Sequence, residues 1–193
     1  MRIVALLGLA LIATPALAFD EKQVLQPTAL TGVQAVYVAP TMIALPEPAG
    51  RFERRRGHGE RPLNAKDAQA KADDLTAALR RGFDRDFTLA EAPGPGVLVV
   101  EPTLTRLEAS RPTMADYREE PGLSFESVYA GGAGFSVRLL RDGREVAVLQ
   151  DRHVGSFSDG SPRIGVWQDA DRAFSMWARQ LPAFVVQPET ASR

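Results

Sequence analysis

The sequence predicts an α+β fold: a two-layer sandwich in which an antiparallel or mixed sheet of about four to five strands carries two amphipathic helices on one face. Three observations predict it. Two segments repeat apolar residues at helical spacing, several others alternate or run apolar over strand lengths, and an Asp-Gly pair joins two of the β runs as a hairpin. Each such element has a single apolar side, so each must be covered by another.

The chain opens with "MRIVALLGLALIATPALA". Arg2 supplies a positive start, an apolar run follows, and Ala16-Leu17-Ala18 offers the small-x-small site of a signal peptidase. The run is shorter than the roughly 20 residues that span a bilayer. Residues 1–18 are therefore expected to be a signal peptide cleaved after Ala18, with a periplasmic, non-transmembrane product beginning at Phe19. Residues 19–29 are expected to be a polar lead, 30–186 one α+β domain and 187–193 a loose tail. The sequence has no cysteine, so neither disulfides nor a lipidated N-terminal cysteine is available to it.

Residues 32–45, "GVQAVYVAPTMIAL", read as a strand ended near Pro40. "PEPAGRFERRRGHGERP" is dense in proline, glycine and charge and reads as a loop. Asn64 then offers an N-cap to a helix on which Ala68, Ala72, Leu75, Leu79 and Phe83 share one face. Acidic residues lie toward its start and arginines toward its end, the order the helix dipole favours.

Next comes "AEAPGPGVLVVEPTLTRLEAS", residues 90–110. Its Gly-x-Gly follows a helix and precedes a strand, the reverse of a dinucleotide loop, and Pro93 and Pro95 have no N–H to offer a phosphate. The motif reads as a turn. In the strand after it, Leu98, Val100 and Leu104 share a face, and Pro102 suggests an edge strand or a bulge. "SRPTMADYREEPGLS" reads as a loop, and the glycines of "YAGGAGF" as a turn or bulge beside a strand.

"GFSVRLLRDGREVAVLQDRHV" contains Asp142-Gly143, which favours a two-residue type I′ hairpin turn. With that turn Leu139 faces Val146 and Val137 faces Val148. Phe135, Val137, Leu139, Val146 and Val148 then share the inward side, with Arg138 and Glu145 on the other. Last, Ala170, Phe174, Trp177, Leu181 and Phe184 recur at helical spacing, with Gln168 or Asp169 near the cap and Pro182 expected to end or kink the helix.

Without Arg2 the chain carries 22 basic and 24 acidic residues, a balance that argues against a nucleic-acid binder. The two histidines, His58 and His153, fall far apart, so the three or four ligands of a zinc site are not gathered and no metal or cofactor is expected. "QDRHVGSFS" places Asp151 and His153 on one strand face with Ser156 and Ser158 beyond, which suggests a hydrolytic set. Side chains on one strand point in parallel, however, and residue 156 is serine where a nucleophile elbow would have glycine, so a solvent-facing hairpin end is expected instead. Asp73 and Asp74 diverge by about 100° on a helix and should not converge on one substrate. Arg51, Arg54, Arg55, Arg56 and Arg61 make the most marked charged surface feature, a candidate contact with an acidic partner or an anionic envelope component.

"VYVAP", the helix "ADDLTAALRRGF", "PGPGVLVVEPTLTRLEASRP", "SVRLLRDGREVAVLQDRHVGSF" and "DADRAFSMWARQL" together resemble DUF3313, a family of bacterial exported proteins, many of them lipoproteins, of unknown function. The likeness spans about residues 30–186, and at the hairpin Asp142, Gly143, Arg144 and Glu145 match the family pattern in part. The resemblance implies no reaction. What is expected is a non-catalytic periplasmic module that binds an envelope component through a sheet edge, a loop or a helix surface. The alternative is a carrier holding a small apolar or lipid-like ligand between sheet and helices, and a hydrolase comes third.

Overall fold

A computed structural model describes residues 19–47, 63–124, 126–156 and 164–187. Eleven elements follow in order among them: β1 (Glu21–Val24), α1 (Pro27–Leu30), β2 (Ala35–Val38), β3 (Met42–Ile43), α2 (Ala65–Phe83), β4 (Thr88–Leu89), β5 (Leu98–Glu108), α3 (Met114–Glu119), β6 (Gly132–Arg141), β7 (Arg144–Val154) and α4 (Gln168–Val186). The fold is α+β as expected, with a mixed sheet of seven strands rather than four or five, and with four helices rather than two among the described residues. Across the sheet the order is β1-β7-β6-β5-β2-β4, and β3 also pairs with β5. β4, β2 and β5 run parallel, whereas β5, β6, β7 and β1 alternate in direction.

The additional strands are short, and their composition hides them. β1 lies in what reads as a polar lead, and its Glu21, Lys22 and Gln23 suit an edge strand, where charge on the open side discourages further pairing. Just before it, Phe19 is buried against Phe135 and Phe184. β3 resumes the first predicted strand after Pro40. At the break the Thr41 N–H donates to Thr76 Oγ1 of α2 at 2.9 Å instead of to the sheet. Pro102 sits in the central strand β5, not at an edge. It falls between Val100, which pairs with β2, and Thr103, which pairs with β3, where the parallel ladder is interrupted. The irregularity in β5 comes later, between Leu104 and Arg106.

The two long helices lie on one face. α2 begins at Asn64, whose side chain accepts from the Asp67 N–H at 2.8 Å, and buries Ala68, Ala72, Leu75, Leu79 and Phe83. α4 buries Ala170, Phe174, Trp177, Leu181 and Phe184, with the Trp177 ring stacked on Phe135 at 4.2 Å between centroids. Pro182 neither ends nor divides α4, which continues to Val186. A proline there removes the N–H that would reach the Ala178 carbonyl one turn earlier. That carbonyl lies instead against Gly82 of α2, so close that a Cβ at residue 82 would fall on it. The glycine lets the two helix backbones approach, and the proline frees the carbonyl they approach through.

The hairpin turn is as predicted: Asp142 and Gly143 both have positive φ, 51° and 76°, as a type I′ turn needs. The register beyond it is not. After Leu140↔Glu145 a bulge intervenes, so Leu139 pairs with Ala147 instead of Val146 and Val137 with Leu149 instead of Val148. An extra residue in one strand reverses which of its side chains face inward. Past Val146 it is therefore Ala147, Leu149 and Asp151 that turn toward the helices, while Val148 moves to the other face and is only half-buried.

Candidate binding face

The sheet has two unlike faces. On the inner one, Val36, Leu98, Val100, Leu104, Val137, Leu139 and Leu149 are fully or almost fully buried beneath α2 and α4. On the outer one, Tyr37, Val99, Glu101, Thr103, Ser136, Leu140 and Val148 are half-buried and Arg138 is exposed. Among the described residues no helix covers that second set. Alternation along β5 and β6 puts the two faces one residue apart.

At the middle of the outer face Arg138 sits between two carboxylates. Its Nε is 2.6 Å from Glu145 Oε2 across the hairpin, and a terminal nitrogen is 3.3 Å from Glu101 Oε2 on β5. The Glu145 hydrogen bond, then the Glu101 charge, hold the guanidinium above its ordinary pKa. One cation thus serves two acids.

Beside this trio lies a groove of about 590 Å³ floored by Val97, Val99 and Leu140 and walled by Pro93–Pro95 and by Asp142 and Gly143, with Glu101 at one end. The local sequence builds it from two turns. In "GPGV", Pro95 at the second position and Gly96 with φ 73° at the third match a type II turn, closed by the Val97 N–H donating to the Gly94 carbonyl at 3.2 Å. The Gly96 N–H in turn donates to Asp142 Oδ1 at 2.8 Å, tying this turn to the hairpin turn. The Gly-x-Gly expected to be a turn is one, and it shapes a surface trough.

The suggested hydrolytic set is not assembled this way. Asp151 does not lie at a solvent-facing hairpin end. The bulge turns it beneath α4, where it is 8% exposed and its Oδ2 accepts from Trp177 Nε1 at 2.6 Å. Its bond is to an indole, so it does not orient His153, which is half-buried farther along β7. Ser156 is exposed just past the strand, and Ser158 and His58 lie outside the described residues. So do Arg51, Arg54, Arg55, Arg56 and Arg61. Asp73 and Asp74 diverge as expected: Asp73 accepts from Gln69 Nε2 at 2.9 Å, and Asp74 pairs with Lys71 Nζ at 2.6 Å. Lys71 also reaches Asp171 of α4 at 2.8 Å. Burial alone would lower the lysine pKa, but the hydrogen bonds and charges of Asp171 and Asp74 outweigh it and the net shift is upward. Among the described residues no group of three or more His, Asp and Glu could hold a metal ion.

A buried polar pair escapes the sequence. Ser110, at the end of β5, donates from Oγ to Asp169 Oδ2 at 2.9 Å and accepts from the Asp169 N–H at 3.2 Å, both residues being fully buried. Ser110 thereby serves as a capping hydroxyl for α4 from 59 residues away, and the Asp169 carboxylate occupies the end of the helix that favours negative charge. Asp169 Oδ1 also lies 3.6 Å from a terminal nitrogen of Arg172, and the pair fastens the start of α4 to the end of β5. The loop after it contains α3, whose capping box joins Thr113 and Asp116. That Thr-x-x-Asp spacing is visible in "TMAD" and could have marked the helix.

No curated protein matches the chain. Solved structures with a similar path include a dodecamer of a PelC point variant from Paraburkholderia phytofirmans, 12% identical over 86% of this chain and 96% of that one, with a TM-score of 0.43. Another is a Xanthomonas campestris protein described under DUF330, 16% identical over 81% and 85%, with a TM-score of 0.48. A family model described as a protein of unknown function, DUF3313, matches residues 22–181, and the chain belongs to that family.

Proposed function

We propose that this protein is a non-catalytic binding module of the periplasm, exported by residues 1–18, and that it engages an envelope component through the open face of its sheet. The observation that carries the reading is the sheet face that no described helix covers: half-buried Tyr37, Val99, Leu140 and Val148 around the Glu101–Arg138–Glu145 trio. Apolar area interleaved with a few placed charges is the surface a specific partner can use. The arginine-rich segment at 51–61 remains a second candidate contact, with an anionic envelope component, and the proposal does not rest on it.

The carrier reading is less favoured. Between sheet and helices, where its ligand would sit, Phe135, Leu139, Leu149, Trp177, Leu181 and Phe184 are at most 1% exposed and fill the space. The hydrolase reading is disfavoured by the bond that commits Asp151 to Trp177.

Site-specific photo-crosslinking in intact cells tests the proposal. A photoreactive residue at Thr103 or Ser136, on the outer face, should give a discrete adduct in the envelope fraction, and one at Ser175, on the exposed side of α4, should not. Adducts equally strong from Ser175, or none from the sheet positions, would overturn it. Fractionation with mass spectrometry of the N-terminus checks the compartment: a mature chain should begin at Phe19.

A further inference from the structure

We infer that the groove between the two turns binds an extended peptide segment of the partner, one in which an apolar side chain stands next to a basic one. This deepens the open-face reading and rests on it. The floor is apolar, from Val97, Val99 and Leu140, and it is flanked by rigid Pro93 and Pro95. Such a surface gains from covering an aliphatic or aromatic side chain.

The charges select what accompanies that side chain. The charged residues lining the groove are Glu101 and Asp142, both acidic. Arg138 offsets Glu101 only in part because it is shared with Glu145, so the trio keeps one net negative charge and Asp142 adds another. Asp142 Oδ1 is engaged by the Gly96 N–H, which holds the carboxylate in place at the wall. Arg141 donates to the carbonyls of Ala29 and Thr31, and with Arg144 it lines a second groove that shares Asp142 with the first; neither arginine lines the first. A basic residue on the visitor therefore meets an acid at either Glu101 or Asp142 of the lining.

Shape favours a chain over a small molecule. Small-ligand sites enclose most of their ligand's surface. This groove is open to solvent, so an extended segment can lie across it without being enclosed.

Titration of the isotope-labelled mature protein with two acetylated, amidated tetrapeptides, Leu-Arg-Leu-Arg and Leu-Glu-Leu-Glu, tests the inference by amide shifts. The basic peptide should produce saturable shifts concentrated at Gly96, Val97, Val99, Leu140 and Gly143. Glu101→Gln should weaken it about two- to fivefold, the range of an exposed ion pair, and raised salt should weaken it similarly. Leu140→Ser should abolish the shifts while leaving the rest of the spectrum in place. Equal response to the acidic peptide, shifts centred elsewhere, or no shift at millimolar peptide would overturn it. So would saturable binding there of dodecyltrimethylammonium without the peptide, since that marks a small-amphiphile site. Crosslinks from Thr103 without peptide binding would remove this inference and leave the open-face function standing; peptide binding without crosslinks would do the reverse.

Discussion

Leu139 and Leu140 are consecutive residues of the same strand and live in different molecules, chemically speaking. Leu139 lies under α4 with no exposure, among side chains packed on every side, whereas Leu140 floors an open trough and is half-buried. The same contrast repeats along β5, where Val100 is buried and Val99 is not. Both faces contain apolar residues, so hydrophobicity alone does not separate them. What separates them is whether another layer of the same chain has been laid on top. The inner face holds the fold together, and among the described residues no helix covers the outer one.

Truncating both leucines offers the largest test of that contrast. Leu139→Ala removes a fully buried side chain and should cost about 2–5 kcal/mol. Leu140→Ala removes contacts already shared with water and should cost under about 1 kcal/mol. Urea denaturation measures both, and similar losses would mean that the outer face is covered after all.

A smaller effect sharpens how the covering layer is held. Gly82→Ala places a methyl group on the Ala178 carbonyl, and because the obstacle is backbone the helices must part. Overpacking of this kind costs about 1–3 kcal/mol. The same change at Gly122, where a Cβ meets nothing, should leave the unfolding midpoint nearly unmoved. An unchanged midpoint for Gly82→Ala would show that α2 and α4 can separate freely.

The smallest effect lies at the rim of the covered side, where Lys71 joins Asp74 and Asp171. Its folded pKa is raised above the ordinary 10.5. A raised value means the folded state holds the proton more tightly than the unfolded one. The stabilisation is therefore complete below about pH 10.5 and disappears as pH rises through the higher folded value. Both carboxylates are more than half exposed, so the pairing is worth at most about 1 kcal/mol. Compared with Lys71→Met, the native chain should lose its advantage in urea midpoint between neutral pH and the far alkaline side. A constant difference at all pH values would remove the ion pairs as its source.

How much of this was legible beforehand depended on how local each cause is. The two long helices, the Asn64 cap, the type I′ turn and the turn at "GPGV" follow from residues within a few positions of one another. Asp151 was misplaced because its orientation depends on a bulge at Val146. The alternation in "EVAVLQD" continues smoothly through that residue, and only pairing with β6 reveals that it is extra. Ser110 and Asp169 were missed for a related reason: the hydroxyl that caps α4 comes from 59 residues earlier in the chain, beyond any local pattern. The trough was half visible. Its two turns could be read singly, but not the bond from Gly96 to Asp142 that sets them side by side.

By itself, then, the order of residues determined the α+β class, the identity of the covering helices and the membership of the inner face up to the bulge. Those depend on periodicity, caps and turn dihedrals, which act over a few residues. The tertiary structure alone decided that seven strands pair, that Asp151 turns inward to Trp177, that Pro182 stays within a helix and that no described helix covers one sheet face. Each of these depends on a hydrogen-bond partner or a neighbouring surface supplied from far along the chain, and no local pattern carries that information.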